Sequence, residues 1–336
     1  MKILVTGGLG YIGSHTVVEL INNNYEVVII DNLSNSELFI LDNIEKITGV
    51  RPIFYNQDLL DFIKTNQIFK KEKINGVIHF AAFKSVSESV RSPLKYYENN
   101  LLSLINILNS INGNNVSNFV YSSSCTVYGQ PDKLPVSESS PFKKAESPYA
   151  KTKQISEQII KDFCNSHNNI SSVSLRYFNP VGAHDSALIG ELPKGVPDNL
   201  IPYITQTAAG IREGLSVFGK DYNTHDGTAI RDYIHVEDLA KAHLKAFNFL
   251  NDSVDKNIYE FFNVGTGIGY SVLDVINSFE NVNNLKINYS FKDRRDGDIE
   301  QIYSDVIKSK KVLKWESERS LDDMMSSAWK WQKNLM

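Results

Sequence analysis

The chain has 336 residues, of which 42% are hydrophobic and 22% are charged, and its formal net charge is −4. This composition suits a soluble protein with one large or two closely joined domains, and the slight acidity gives no support for binding to nucleic acid or to a membrane surface. Cys125 and Cys164 are the only cysteines, and their spacing fits no metal site and indicates a reducing compartment. Without a signal peptide or an apolar run of membrane-spanning length, the expected location is the cytoplasm.

The first half of the chain alternates short apolar runs with helical stretches. The runs predict strands at Lys2–Thr6, Tyr25–Ile30, Pro52–Tyr55, Gly76–Phe80, Asn118–Tyr121 and Ser172–Tyr177, and the stretches predict helices that include Ser14–Asn22, Ser92–Asn109 and Tyr149–Asn165. This alternation predicts an α/β fold with a Rossmann-type, doubly wound parallel sheet. From about Asn179 the pattern loosens, which predicts a smaller, partly interleaved substrate-binding region. The approximate domains are therefore residues 1–180 and 181–336.

A glycine-rich turn follows the first predicted strand and precedes a helix. Gly7, Gly10 and Gly13 lie three residues apart, a spacing that permits a tight turn and lets backbone N–H groups approach a pyrophosphate. Asp31 ends the second strand, where a carboxylate can accept hydrogen bonds from a ribose diol, although an ordinary surface turn is the alternative. Because the residues just after Asp31 include no Arg or Lys for a 2′-phosphate, NAD is favoured over NADP.

Acid–base chemistry is indicated between the fifth strand and the helix that follows it. Tyr149 and Lys153 lie four residues apart at the start of a helix whose predicted N-cap is Ser147. A nearby ammonium and a helix N-terminus are expected to lower the pKa of the Tyr149 phenol, and Ser124 could share the proton of a substrate hydroxyl. This set fits the oxidation of an alcohol or the reduction of a ketone. A tyrosine and a lysine at this spacing also occur by chance on helices that have no catalytic role.

Beyond these features, motifs along nearly the whole chain resemble the UDP-glucose (galactose) 4-epimerase family of extended short-chain dehydrogenase/reductases. The matching segments are Val5–His15, Ser122–Ser124 with Val127–Gly129, Ser147–Tyr149 with Lys153, Leu175–Asn179, Asp198–Leu200, Val217–Gly219, Gly227–Thr228, Arg231–Val236 with Asp238–Ala240, and Arg294–Arg295 with Gly297–Asp298. The glycine loop and the Tyr/Lys pair are shared by the superfamily, whereas the later segments point to the epimerases.

The resemblance implies two sets of ligand contacts. The residues implied to line the NAD site are Gly7, Gly10, Tyr11, Ile12, Gly13, Asp31, Asn32, Asn35, Ser36, Asp58, Leu59, Phe80, Ala81, Lys84, Asn99, Ser124, Tyr149, Lys153 and Phe178. The residues implied to hold a UDP-sugar are Ser124, Tyr149, Asn179, Asn199, Leu200, Phe218, Arg231, Tyr233, Arg295, Asp298 and Ile302. Arginines suit the charge of a pyrophosphate and aromatic faces suit a uracil ring.

The activity implied is inversion at C4 of UDP-glucose or UDP-galactose through a transient 4-keto sugar and NADH, with NAD kept tightly bound, in a homodimer. Ile302 stands where hexose-restricted members often carry Tyr, so interconversion of UDP-GlcNAc and UDP-GalNAc is the main alternative. Nucleotide-sugar dehydratases need Asp-Glu at the place of Cys125 and Thr126, which disfavours that activity. A simple dehydrogenase and a non-enzymatic NAD-binding protein are the remaining alternatives.

Overall fold

The computed structural model of the chain describes residues 1–255, 257–295 and 298–336, so Gly297 of the last motif lies outside them. The strands are β1 (Lys2–Thr6), β2 (Glu26–Asp31), β3 (Ile53–Asn56), β4 (Gly76–His79), β5 (Asn118–Ser122), β6 (Ser171–Tyr177), β7 (Asn179–Val181), β8 (Leu215–Phe218), β9 (Ile230–His235), β10 (Tyr259–Val264), β11 (Gly269–Ser271), β12 (Tyr289–Lys292) and β13 (Gln301–Ile302). The α-helices are α1 (Tyr11–Asn22), α2 (Phe39–Thr48), α3 (Phe62–Glu72), α4 (Val86–Arg91), α5 (Pro93–Tyr97), α6 (Ser103–Gly113), α7 (Pro148–Asn165), α8 (Leu200–Ala208), α9 (Val236–Asp252), α10 (Val272–Asn283) and α11 (Leu321–Asn334).

Within the described residues, seven parallel strands form one sheet in the order β10-β6-β5-β4-β1-β2-β3. The strand order reverses between β1 and β4, where Thr6 lies beside both Ile30 and His79. In an open parallel sheet, ligands bind beyond the carboxyl ends of the strands at such a reversal. The predicted α/β fold and its doubly wound sheet are confirmed.

Helices cover both faces of this sheet because the side chains along each strand alternate between them. On one face Ile3 and Val5 pack with α9 residues such as Phe247. On the other face Leu4 packs with residues of α3, α6 and α7, including Ile107. The chain after residue 180 is therefore not separate from the sheet, because it supplies both α9 and the edge strand β10.

A second group of elements lies at the carboxyl edge of the sheet. Strands β7, β11 and β13 each pair with β9, and β8 pairs with β12. Helices α8, α10 and α11 pack on them through a separate apolar core that contains Ile204, Phe279 and Met325. Within the described residues no helix is long and apolar enough to cross a membrane.

The helix predicted over Ser92–Asn109 is confirmed as one continuous helical stretch, since α5 begins right after Ser92 and α6 continues past Asn109 to Gly113. Within it, a π-helical turn over Glu98–Leu102 joins α5 to α6. π-helical turns inside helices commonly serve functional sites, and this one contains Asn99 and Asn100. The helix predicted to begin at Ser14 instead begins at Tyr11, which brings its first turn to the glycine loop.

Candidate active site

The glycine loop is held so closely that side chains would not fit in it. Gly7 has φ +68°, and a Cβ there would come within 3.0 Å of the backbone nitrogen of Ala81 on the neighbouring strand end. A Cβ on Gly13 would collide with the carbonyl oxygen of Gly7. Gly10 is the N-cap of α1 and offers no side chain to the first turn. The free N–H groups of this turn therefore face the crevice, as a pyrophosphate site requires.

Asp31 is buried rather than part of an exposed surface turn. Its carboxylate accepts hydrogen bonds from the N–H groups of Leu9 (3.1 Å) and Leu33 (2.9 Å) and from the hydroxyl of Ser36 (2.8 Å). It therefore fixes the glycine loop and the loop after β2 against each other. Such an anchored carboxylate is held in place at the strand end where a ribose diol would need an acceptor.

The neighbouring strand ends carry the other residues predicted to contact the adenosine. Asn32 donates its amide hydrogen to Asp58 (3.0 Å), whereas Asn35 is exposed and Leu59 is buried. Sequence reasoning missed Lys194, whose ammonium group lies 3.0 Å from the carbonyl oxygen of Leu33 and pairs with Glu37 at 3.3 Å. Because the buried Asp31 carboxylate stands beside this loop and would repel a 2′-phosphate, NAD remains favoured over NADP.

The segment after β4 is tied to the helix that carries the predicted catalytic residues. Asn100 exchanges two hydrogen bonds with the backbone of Phe83, at 2.8 and 3.0 Å, and donates to the hydroxyl of Thr152 on α7 at 3.3 Å. Asn99 donates in turn to the side-chain oxygen of Asn100 (2.9 Å). Phe80 packs against the ring of His243 with the centroids 4.6 Å apart. The π-helical turn therefore directs the side chain of Asn100 inwards. The spacing of apolar residues in the sequence gave no sign of this turn.

Tyr149, Lys153 and Ser124 are brought together as predicted. Ser147 caps α7 by accepting a hydrogen bond from the N–H of Ala150, and both Tyr149 and Lys153 are buried. The Lys153 ammonium nitrogen donates to the carbonyl oxygen of Ser122 (2.7 Å) and lies 5.9 Å from the centroid of the Tyr149 ring. This bond fixes α7 to the end of β5, immediately before Ser124.

The predicted lowering of the phenol pKa is wrong for the chain by itself. Burial raises the pKa of Tyr149 well above its ordinary value, and a hydrogen bond with the Ser124 hydroxyl opposes this shift only in part. Burial also lowers the pKa of Lys153 to about 7, against the attraction of the Glu157 carboxylate. Desolvation therefore outweighs the lysine and the helix N-terminus, and ionisation of the phenol requires a further positive charge in the crevice.

A buried ion pair that sequence reasoning missed stands behind this group. Arg176 pairs with Glu157 through two nitrogens, at 3.0 and 2.6 Å, and donates to the phenol oxygen of Tyr128 at 3.0 Å. The hydroxyl of Ser123 donates to the same Glu157 carboxylate at 2.6 Å. Since Glu157 is one helical turn after Lys153, two side chains of α7 hold Ser122 and Ser123 and so position Ser124. Arg176 belongs to a recognised motif, but Glu157 follows no motif signal.

Four of the residues predicted to hold the substrate line a cavity of about 80 Å³ at the start of α8: Asn179, Asn199, Leu200 and Tyr233. Asn179 begins β7 and pairs with Tyr233 on β9, which sets both side chains at one edge. Asn199 is the N-cap of α8 and makes no capping hydrogen bond with its side chain. Glu191 also lines this cavity and was not predicted.

A second part of the predicted substrate site surrounds Arg231. Arg231 lies 3.9 Å from Asp298 and beside Ile302 in the sheet register. The buried Ile302 packs with Phe178 and Cys125. Asp232, the chain neighbour of Arg231, forms no surface ion pair with it, because Asp232 is fully buried and accepts hydrogen bonds from Thr266, Gly267 and Ser304.

Phe218 and Arg295, the last predicted pair, contact each other. The guanidinium carbon of Arg295 lies 3.9 Å above the centroid of the Phe218 ring. Arg294 makes the same kind of contact with Tyr222 at 4.1 Å and pairs with Asp221 at 2.8 Å. The two arginines therefore stack on aromatic rings at the end of β8 and in the loop after it. Of these two arginines, only Arg294 has an ion-pair partner among the described residues.

The buried thiol of Cys125 argues against the alternative of a nucleotide-sugar dehydratase. Cys125 occupies the place where a dehydratase would need an acid, and burial raises the pKa of its thiol to about 12. A thiol that stays protonated and buried cannot exchange a proton with a substrate near neutral pH. This position therefore supports no elimination chemistry.

Comparisons with known proteins agree with the geometry. A family model described as GDP-mannose 4,6 dehydratase matches residues 4–328. UDP-glucose 4-epimerase of Haemophilus influenzae is 50% identical over 99% of this chain and 98% of its own length.

Two solved structures are similar over almost their whole length. The UDP-glucose 4-epimerase of Stenotrophomonas maltophila, solved with NAD and formylated UDP-arabinopyranose, is 44% identical with a TM-score of 0.97, covering 100% of this chain and 98% of that one. That of Bifidobacterium longum, solved with NAD+ and UDP, is 44% identical with a TM-score of 0.95, covering 99% and 98%. The chain therefore belongs to the UDP-glucose 4-epimerase family of extended short-chain dehydrogenase/reductases.

Proposed function

We propose that this chain is an NAD-dependent UDP-glucose 4-epimerase, which inverts C4 of UDP-glucose and UDP-galactose. The observation that carries the proposal is the place of the acid–base residues in the sheet. Helix α7 sets Tyr149 and Lys153 at the end of β5, beside the strand reversal where the glycine loop lies. The cavity at the start of α8 is lined by Asn179, which comes two residues after β6, the strand that pairs with β5.

The residues around the strand reversal fit NAD. The uncapped first turn of α1 suits its pyrophosphate, the buried Asp31 suits its adenosine ribose, and Lys84 suits a phosphate or ribose oxygen. When bound, NAD supplies an electron acceptor for the carbon being inverted and a positively charged ring that lowers the pKa of a neighbouring phenol. That positive charge would lower the pKa of Tyr149 and so oppose the effect of burial, which raises it.

In the proposed mechanism Tyr149 removes the proton from the C4 hydroxyl of the sugar and later returns it to the same oxygen, while the hydride that C4 would give up to bound NAD would come back to the opposite face of C4. Ser124, whose hydroxyl opposes the rise in the pKa of Tyr149, would share this proton and orient the sugar oxygen. The positive charge of Lys153 favours the phenolate, and its ammonium group is positioned by the hydrogen bond that it donates to the carbonyl oxygen of Ser122. The C4 ketone exists only between these two transfers, so the sugar must turn over without leaving the crevice.

This requires a firmly held nucleotide and a loosely held sugar. We assign the diphosphate to the start of α8, where the first N–H groups of the helix lack a side-chain cap, together with Arg231 and Arg295. Phe218 offers the uracil the ring face that Arg295 does not cover. None of these nucleotide contacts involves Tyr149 or Ser124, so the proposal allows the sugar to rotate while the nucleotide remains bound.

The test of the proposal is turnover of UDP-galactose by the purified protein. Epimerase activity gives UDP-glucose until the two sugars reach equilibrium, with no added NAD and no accumulation of free NADH. NADH formed in proportion to product would identify a dehydrogenase instead, and a 4-keto-6-deoxy sugar would identify a dehydratase.

Activity on N-acetylated UDP-hexoses is a second candidate. Ile302 is smaller than the Tyr of hexose-restricted members and is packed against Phe178 and Cys125, so it leaves more room beside the sugar. A relative from Campylobacter jejuni is described as a UDP-Glc/GlcNAc 4-epimerase and is 36% identical. Comparing kcat/KM for UDP-galactose and UDP-GalNAc decides between hexose-only and dual activity.

We also propose the finer points of organisation. Residues 1–180 serve NAD and residues 181–336 serve the UDP-sugar, apart from α9 and β10. A homodimer is supported by the exposed apolar side chains of α5 and α6, among them Leu94, which is 79% exposed. Two buried free thiols, Cys125 and Cys164, fit the reducing cytoplasm. Light scattering of the purified protein tests the dimer.

A further inference from the structure

Glu191 is a carboxylate between the two predicted ligand sites that the mechanism above does not use. Its side chain is only 10% exposed and lines the cavity with Asn199. One carboxylate oxygen, Oε1, accepts hydrogen bonds from both Lys84 Nζ (2.9 Å) and Asn199 Nδ2 (2.6 Å). One oxygen atom thus joins a residue predicted to serve NAD to a residue predicted to serve UDP.

A carboxylate at this place is unfavourable for binding by charge alone. Two diphosphates are expected on either side of it, and like charges repel at short range. Its position is nevertheless fixed, since its carbonyl oxygen accepts the indole N–H of Trp331 (2.9 Å) and a Cβ on the preceding Gly190 would collide with the same indole ring. The backbone therefore aims this carboxylate into the crevice, which calls for a role that offsets the repulsion.

The role follows from what Asn199 does not do. Asparagine is among the strongest N-cap residues, because its side-chain oxygen normally accepts a hydrogen bond from an N–H of the first turn. Asn199 is the N-cap of α8, yet its side chain makes no such bond, and its amide donates to Glu191 instead. The first N–H groups of α8 are therefore left for a ligand.

We propose that Glu191 is a positioning residue for UDP-sugar binding: it holds the Asn199 side chain away from the N-terminus of α8 and links it to Lys84, so that the helix N–H groups stay open to the diphosphate. This inference rests on the proposed function. This role also explains why a carboxylate lines a site for anions. The open N–H groups and the dipole of α8 attract the diphosphate, and this attraction offsets its repulsion by Glu191.

The experiment measures the dissociation constant for UDP, and KM and kcat for UDP-galactose, in the NAD-containing enzyme. In Glu191→Ala the released Asn199 can cap α8 and compete with the diphosphate. The dissociation constant and KM should then rise about 3- to 30-fold, the range that corresponds to one capping hydrogen bond, while kcat changes less than about 3-fold. Glu191→Gln keeps an acceptor for Asn199 and should restore most of the affinity.

Asn199 provides the decisive comparison. In an Asn199→Ala background no side chain can cap α8, so Glu191→Ala should change UDP affinity less than about 2-fold. Glu45→Ala, which removes an exposed carboxylate paired with Arg51, is the matched control and should leave the dissociation constant unchanged. Equal losses in both backgrounds, unchanged affinity in Glu191→Ala, or a Gln variant as weak as the Ala variant would each overturn the inference.

The unmodified enzyme separates this inference from the proposed function. If it neither binds UDP nor converts UDP-galactose, the proposed function fails and the inference fails with it. If it does both and Glu191→Ala behaves like the unmodified enzyme, only the inference fails. A fall in melting temperature with unchanged UDP affinity would likewise reduce Glu191 to a structural residue and overturn its positioning role.

Discussion

Replacing Tyr149 by Phe removes the proposed base with little other change to the protein. The ring stays in place, because Tyr149 is 8% exposed and lies next to the N-cap turn of α7. The lost hydroxyl could at most give up one interaction with Ser124, which still accepts a hydrogen bond from the N–H of Thr126 (3.2 Å). Loss of one neutral hydrogen bond should lower the free energy of unfolding by only about 0.5–1.5 kcal/mol.

The effect on the rate should be far larger. A positioned acid–base group contributes roughly 10²- to 10⁴-fold, which corresponds to about 2.7–5.4 kcal/mol of activation free energy. We therefore expect kcat for UDP-galactose to fall by that factor while KM changes less than about 3-fold, because the nucleotide contacts lie elsewhere. The assay couples UDP-glucose formation to UDP-glucose dehydrogenase.

A matched control is Tyr96→Phe, which removes a buried phenol that donates to Glu88 (2.7 Å) and lines neither ligand site. Its turnover should stay within about 2-fold of the unmodified enzyme. If Tyr149→Phe kept near-normal kcat while retaining its fold and its NAD, the assignment of Tyr149 as the base would be refuted.

Three further changes follow from the site. Gly13→Ala should abolish retention of NAD, read from the absorbance of the purified protein, because the added methyl group would collide with the carbonyl of Gly7; normal NAD content would contradict the close packing of the loop. Glu157→Gln should lower the free energy of unfolding by about 3–5 kcal/mol, since it leaves the buried Arg176 guanidinium without a counter-ion; a loss below about 1 kcal/mol in urea titrations would show that the pair is dispensable. Lys153 has its pKa lowered to about 7 in the folded chain against about 10.4 when unfolded, so the folded state holds fewer protons between these values. In NAD-free protein the free energy of unfolding should therefore rise with pH from 7 to 10 relative to Lys153→Met, by at most about 1.4 kcal/mol per unit; a flat or falling difference would contradict the desolvation.

The sequence identified the parts of the site that depend on local patterns. The glycine spacing, the strand end at Asp31 and the cap at Ser147 each follow from a few consecutive residues, and the structure places them as predicted. Apolar runs were enough to predict the parallel sheet, because inner strands such as β4 and β5 are buried on both faces. Family motifs then supplied residues that no period reveals, such as Asn179 and Arg231.

What the sequence did not reveal depends on contacts between distant segments. Glu157 on α7 pairs with Arg176 on β6. Glu191 contacts Lys84, which is 107 positions away in the sequence, and Asn199, which is 8 positions away. The raised pKa of Tyr149 was mispredicted for a related reason, since burial is a property of the folded chain and here exceeds the local effect of Lys153. The π-helical turn that directs Asn100 inwards has no apolar signature of its own.

Transfer of hydrogen at C4 tests the central claim most directly. UDP-galactose labelled with deuterium at C4 should give UDP-glucose that keeps the label at C4 in ordinary water, because the carbon-bound hydrogen leaves and returns within the closed crevice while Tyr149 exchanges only the hydroxyl proton. Loss of the deuterium to solvent would mean that C4 is inverted by proton abstraction from carbon, and the account built on NAD and Tyr149 would be wrong.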